Sequence, residues 1–288
     1  MSKKLKIGLV DNYLNNYHCD VLMKFLAGPL AKENVEIVAA WEWMPKGDKD
    51  WCKENNVKRC ASVDEVTKAA DYIMVMSPNN NEYHRMLAEK VIPAGKPIYI
   101  DKFLHPVYSE AVAIVEGCQK ANIPLMSSSA LAFAVELNAA LKEMGKKKPE
   151  DMFCKGISSW SNYGVHSVSP VIRVMGGDIK RLINVGSEKD NVVVLDYKDG
   201  RKATIQVVTC ENEWQFFPTW NIGIRAENKY YGGPVKEFDA FYINLFKEVF
   251  KFFRTGKPGM SIEQQLAVCK VLEDGARSLK QGGVYINY

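Results

Sequence analysis

Between Lys4 and Ser127 the chain alternates short apolar runs with helical patterns, and that alternation limits the folds open to it. Lys4–Val10, Val35–Trp41, Val57–Cys60, Tyr72–Met76, Pro97–Ile100 and Pro124–Ser127 read as strands. Helical patterns separate them at His18–Leu26, Lys49–Asn55, Ser62–Ala70, Tyr83–Ile92 and Ser109–Ala121. The run "VEIVAAW" at Val35–Trp41 is almost continuously apolar, as a strand covered on both faces must be. Gly28-Pro29, and Pro93 with Gly95, stop their helices, and Ser62 with Glu65 forms a capping box. Repeats of this kind predict an α/β unit with a doubly wound parallel sheet and right-handed crossovers. Ligands of such sheets sit at the carboxyl ends of the strands. Here those ends are the loops Asp11–Tyr17, Glu42–Lys46, Ser77–Asn81, Asp101–Pro106 and Ser127–Ser129.

After Ala130 the pattern changes. Leu131–Met144 is an amphipathic helix, and Lys146–Glu150 reads as a linker. Strand-like runs follow at Phe153–Trp160, Ile179–Gly186, Asn191–Tyr197, Lys202–Cys210 and Trp220–Ala226, with a hairpin signal at Lys198–Gly200. Helices at Phe238–Arg254 and Ser261–Leu279 close the chain. This predicts an α+β domain with a mainly antiparallel, open sheet. The expected division is 1–128 for the parallel-sheet domain and 129–288 for the second.

The bulk numbers exclude some partners. Of 288 residues 47% are hydrophobic, and the charge balance of 38 − 34 = +4 is too small to imply nucleic acid or a membrane surface. No segment approaches the roughly 20 apolar residues of a membrane span. The seven cysteines contain no C-x-x-C pair, and no secretory signal is visible, so reduced thiols in the cytoplasm are expected. No metal-ligand spacing occurs, and no metal is expected.

The candidate functional residues lie on the strand-end loops. In the first loop, "VDNYLNNYH", the candidates for cofactor contact are Asp11, Asn12, Tyr13 and Leu14. A turn that carries a pyrophosphate ordinarily uses glycines, and this one has none. Asn12 and Asn15 are the nearest replacements: asparagine tolerates left-handed backbone, and its amide can bind phosphate oxygens. Glu42 ends the second strand, where a carboxylate accepts from ribose hydroxyls and disfavours a 2′-phosphate. Ser77 and Asn79 follow the fourth strand, and Asp101 and Lys102 the fifth. Lys102 could hold the developing charge of a reacting oxygen. Tyr163 and His166 lie three apart and share a face on a helix; the imidazole suits proton transfer near neutral pH. Plain structural readings remain open for each: a helix-capping loop, a surface glutamate, a solvated lysine, a capping histidine beside a packed tyrosine.

Taken together these segments resemble the family of glucose–fructose oxidoreductase, inositol dehydrogenase and MocA-like proteins. "AEKVIPAGKPIYIDKF" is similar to the family's "A-x-x-A-G-K-x-V-x-x-E-K-P", which sets Lys102 on the catalytic lysine. "YGVHSVSPVIRVMGG" is similar to its active-site histidine helix, with His166 on the histidine, and "VEIVAAWE" sets Glu42 on the acidic position of the second strand. The resemblance implies an N-terminal Rossmann domain, a C-terminal domain with an open sheet, NAD(H) in preference to NADP(H), a sugar, polyol or related substrate, and a homodimer or homotetramer. The departures are plain. On the register that ends at His18, Val10, Asn12 and Asn15 replace the motif's glycines. Phe103 replaces a proline, and Asn162 stands where many members carry an aspartate four residues before the histidine. Two functions follow: an NAD(P)-dependent oxidoreductase working through Lys102, His166 and Tyr163, or a relative with impaired cofactor use that acts as a binding or regulatory protein.

Overall fold

The computed structural model describes residues 4–210 and 219–288. Two compact units account for the chain: Met1–Ser128 with Leu245–Gln265, and Ser129–Asn244 with Leu266–Tyr288.

The first unit is built on β1 (Leu5–Asp11), α1 (Tyr17–Ala27), β2 (Val35–Glu42), α2 (Trp51–Glu54), β3 (Lys58–Arg59), α3 (Val63–Ala69), β4 (Tyr72–Val75), α4 (His84–Val91), β5 (Ile98–Asp101), α5 (Tyr108–Lys120) and β6 (Leu125–Ser128). Its six strands form one sheet in the order β3-β2-β1-β4-β5-β6, with every pair parallel. The order reverses between β1 and β4, which makes their carboxyl ends the switch point of the sheet. β1, β4 and β5 are buried on both faces, which explains their unbroken apolar character. Helix α3 lies so close to β1 that a side chain at Gly8 would come within 2.4 Å of Val66.

The second unit holds α6 (Val135–Met144), β7 (Asp151–Ile157), α7 (Trp160–Met175), β8 (Ile179–Asn184), β9 (Asp190–Tyr197), β10 (Lys202–Val208), β11 (Asn221–Ala226) and β12 (Lys229–Pro234). The helices α8 (Phe238–Thr255) and α9 (Ile262–Lys280) and the short β13 (Ile286–Asn287) complete the chain. Its sheet runs β12-β11-β7-β10-β9-β8-β13 and is antiparallel except for β7 with β10. α7 covers β7 and β10, and α6 covers β11 and β12. The other face carries half-buried Phe153, Val192, Val194, Thr204 and Gln206.

Three differences from the sequence pattern have physical causes. The expected second domain, 129–288, is interrupted, because Leu245–Gln265 packs with the first unit. There Phe246, Phe250, Phe252 and Phe253 are buried, Phe253 stacks on Tyr72 at 4.9 Å, and Arg254 pairs with Glu33. Burying each such ring contributes about 1.5–3 kcal/mol. The helix expected from Leu131 is instead a 3-10 turn at Ala130–Phe133, then a break at Ala134, then α6. Finally, the strand expected to reach Trp160 stops at Ile157, because Trp160 begins α7. The α7 segment is rich in serine and valine and contains Gly164 and Pro170, all poor helix formers. Packing overrides that preference, since nearly every residue from Gly164 to Ile172 is buried. β12 and β13 were not legible; one is dense in glycine and the other has two residues.

Gly156 on β7 lets α7 settle onto the sheet. A methyl group there would lie 2.4 Å from Ser167 Oγ and 2.7 Å from Trp220 Nε1. Gly156→Ala should therefore destabilise the chain by about 1–3 kcal/mol in urea unfolding, the usual cost of overpacking. A variant as stable as the parent would mean that α7 is not clamped to β7.

Candidate active site

The turn after β1 is closed by its own side chains. Asn16 caps α1, accepting from the Cys19 N–H at 3.1 Å. Asp11, almost fully buried, accepts from the backbone N–H of Tyr13 (3.2 Å) and of Ser77 (3.0 Å), from the Asn16 amide (3.0 Å) and from the Cys19 thiol (3.3 Å). Burial pushes the Asp11 carboxyl up to about 7, against these hydrogen bonds. Asn15 is tied to the next loop, donating to the carbonyls of Lys46 and Lys49 at 2.9 Å each. No residue from Val10 to Asn16 has a positive φ. The expectation that Asn12 and Asn15 supply left-handed backbone is thus corrected: the turn needs none, and its amides tie loops together.

The remaining cofactor candidates surround this turn. Glu42 Oε2 accepts from the Leu14 N–H at 2.9 Å, and Oε1 pairs with Arg59 at 2.5 Å. Arg59 also reaches Asp50 at 2.9 Å. Asn12 donates to Asn80 at 3.2 Å, while its own amide oxygen is buried with no hydrogen-bond partner. Tyr13 carries Lys46 over its ring and accepts from Asn79 at 3.2 Å. Ser77, at φ +43°, donates its hydroxyl to the Asn80 carbonyl. Asp11, Asn12, Tyr13, Leu14, Glu42, Ser77 and Asn79 are therefore one connected group at the switch point. The backbone N–H groups of Tyr13 and Leu14, which a glycine turn would offer to a phosphate, are taken by Asp11 and Glu42.

The end of β5 is strained and buried. Lys102 sits at φ +59°, a left-handed conformation that costs a lysine about 1–2 kcal/mol. Its side chain is only 4% exposed. Burial lowers its pKa from 10.5 to about 8, with Asp101 opposing the shift. Asp101 accepts from Tyr99 Oη at 3.1 Å and from His18 Nδ1 at 2.6 Å. Burial opposes its ionisation, but the contact with His18 together with the charges of Lys102 and His84 outweighs burial, so Asp101 lies below its ordinary value. His84, fully buried, faces the Met76 carbonyl at 3.0 Å and the Phe103 carbonyl at 2.9 Å, joining the ends of β4 and β5. Burial pushes its pKa below the usual imidazole value. The Asp101 carboxylate is shared between His18 and Tyr99.

In the second unit His166 and Tyr163 do share a face of α7, with ring centroids 5.4 Å apart. The Trp220 ring lies edge-on to His166 at 5.9 Å. His166 Nδ1 is 2.7 Å from Ser129 Oγ. The aromatic-rich stretch "CENEWQFFPTWN", Cys210–Asn221, falls mostly on residues 211–218, outside the described residues. Sequence reasoning did not single out Arg59, His18, His84 or Ser129. His18 and His84 lie on helices that follow strand-end loops and Ser129 closes one such loop, a signal that could have marked them; Arg59 gave none.

The fold and the switch-point residues define a two-unit protein whose first unit has the architecture of a dinucleotide-binding domain. Residues 17–129 match the GFO_IDH_MocA family model, described as an oxidoreductase family with an NAD-binding Rossmann fold, so the resemblance read in the sequence holds over that segment. The match begins just after the glycine-free turn. Solved structures share the fold over the whole chain. GenD2 from gentamicin A biosynthesis, in complex with NAD, is 14% identical with a TM-score of 0.80, covering 100% of this chain and 97% of its own. A myo-inositol dehydrogenase from Corynebacterium glutamicum is 15% identical with a TM-score of 0.78, covering 99% and 100%. An oxidoreductase from Agrobacterium radiobacter, in complex with NAD+, L-tartaric acid and magnesium, is 15% identical with a TM-score of 0.76, covering 99% and 98%. No curated protein sequence matches the chain. Among the described residues no helix is long and apolar enough to cross a membrane.

Lys102 gives a stability test. The unfolded chain keeps its ammonium in water up to 10.5, whereas the folded chain releases the proton at about 8. The cost of the buried charge is thus fully present below pH 8 and is relieved as pH rises from 8 towards 10.5. Lys102→Met should raise stability at pH 7 by on the order of 3 kcal/mol, with the gain fading by pH 10.5. Thermal unfolding across that range checks it, and a variant less stable than the parent at pH 7 would remove the burial argument.

Proposed function

We propose that the protein is an NAD(H)-dependent oxidoreductase acting on a sugar, polyol or related hydroxyl or carbonyl compound. The observation that carries this reading is Lys102: a lysine held in left-handed backbone, buried, with its pKa lowered to about 8, at a strand end beside the switch point. Strain and a perturbed pKa at such a place favour a chemical role over a structural one. A nicotinamide bound there would accept or donate the hydride. Lys102, still mostly protonated at neutral pH, would hold the reacting oxygen and absorb its developing charge. His166 would exchange the hydroxyl proton, and Tyr163 on the same helix face would donate to a substrate oxygen.

The residues of the turn suit some parts of a dinucleotide better than others. The buried, unpartnered Asn12 oxygen suits a ligand donor, and Glu42 suits ribose hydroxyls. Phosphates bound here would find the N-terminus of α1 and side-chain amides, with the Tyr13 and Leu14 N–H groups already engaged. That engagement favours a second reading, a relative that keeps the fold and binds a small molecule without productive cofactor use. The leading reading also carries a cytoplasmic location and a homodimer or homotetramer. Its contact would be the half-exposed face of the second unit's sheet, where Phe153 and Tyr230 lie 6.5 Å apart.

One titration separates the readings. Trp41 and Trp43, with ring centroids 6.0 Å apart, flank Glu42, so bound adenosine should quench their fluorescence. Glu42 and Asp50 both engage Arg59, and the Glu42 carboxylate would repel a 2′-phosphate. NADH should bind at least about tenfold more tightly than NADPH, the effect of ~1.4 kcal/mol. Calorimetry with no heat from either cofactor at millimolar concentration would leave the second reading standing.

A further inference from the structure

We propose that Ser129 is the positioning residue of His166, in the place that the family resemblance gives to a carboxylate at 162. The inference rests on the reading of His166 as a proton-exchanging group. Ser129 is fully buried, and its Oγ is 2.7 Å from His166 Nδ1, the short end of the hydrogen-bond range. The hydroxyl is itself anchored. It accepts from the Leu131 N–H at 3.3 Å as the cap of the 3-10 turn Ala130–Phe133. That turn packs on α7, and Arg173 of α7 reaches the Ala132 carbonyl and, at 2.9 Å, Asn138. The hydroxyl and the imidazole are thus held by the same pair of elements, so the ring cannot rotate without breaking a buried hydrogen bond. Trp220 and Tyr163 restrict the ring on other sides, at 5.9 and 5.4 Å.

The consequence is chemical as well as geometric. An imidazole offers two distinct nitrogens, and the partner of one decides which tautomer the other presents. With its oxygen already accepting from the Leu131 N–H, the Ser129 hydroxyl can donate to Nδ1 and leave the ring proton on Nε2, whereas a carboxylate, an acceptor only, would select the opposite tautomer; the hydroxyl also brings no negative charge to stabilise an imidazolium. Asn162, one helical turn before His166, is an amide and brings none either.

Histidine side-chain ¹⁵N NMR tests this without substrate or cofactor, so its result is independent of whether NADH binds. The chain has four histidines, which keeps assignment tractable. In the parent, His166 should show one dominant tautomer. In Ser129→Ala it should relax to the mixed tautomers of an unconstrained ring and its pKa should move by at least about half a unit, the size of a lost neutral hydrogen bond. Ser129→Thr, which keeps the hydroxyl, should restore the parent pattern, and His18, His84 and His105 should not respond. If the alanine variant does not fold, Ser129→Cys, a weak hydrogen-bond partner of similar size, carries the same expectation. An unchanged His166 tautomer ratio and titration in a folded alanine or cysteine variant would overturn the proposal.

Discussion

The buried carboxylate of Asp11 is the contact on which the first unit's functional end depends. It ends β1, the strand at which the sheet order reverses, and gathers donors from the following turn, from α1 and from the loop after β4. Loops at a switch point ordinarily diverge to admit a ligand. Here one side chain ties the two nearest of them together. Removing it would strand several buried donors at about 1–3 kcal/mol each. The same contact explains how a turn without glycine exists at all. Its backbone stays at negative φ, and its N–H groups point at Asp11 and Glu42, whose carboxyl oxygens act as internal acceptors where a phosphate is usually sought.

From that frame the strand ends are set in series. Glu42 binds the turn and Arg59, His84 spans the carbonyls that follow β4 and β5, and Asp101 holds α1 through His18. Lys102 comes next in the chain and absorbs the strain. An arrangement that fixes neighbours on three sides can hold a lysine in an unfavourable backbone state with its ammonium out of water. The second unit uses other means. A helix with poor intrinsic propensity is secured by packing on β7 and β10, and its histidine is oriented by a serine from a separate turn.

Much of the fold was legible because its signals are local. The apolar runs, helix stops and caps marked the strands of the parallel sheet, most plainly β1, β4 and β5, which are buried on both faces and leave little room for polar residues. The positions of Glu42, Lys102 and His166 were legible because strand ends and helix periodicity follow from those runs. Long-range pairing left no such trace. Nothing in "VKRC" indicates that Arg59 will meet Glu42, and nothing in "SSSALAF" indicates that Ser129 will meet His166. The helix carrying Tyr163 and His166 was legible from their spacing, but its start at Trp160 was not, and its Ser, Val, Gly and Pro disfavour helix until burial reverses that preference.

The sequence by itself determined the layered architecture, the strand-end loops and the residue types available there. Alternation and periodicity are properties of neighbours along the chain. Tertiary structure alone decided what those residues do. It turned the asparagines of the first loop into ties between loops, engaged Asp101 with His18, and returned Leu245–Gln265 to the first unit. Each outcome rests on which groups are buried together. Burial sets the cost of an unpaired polar atom and the pKa of a charged one, and that grouping is fixed only when distant segments meet.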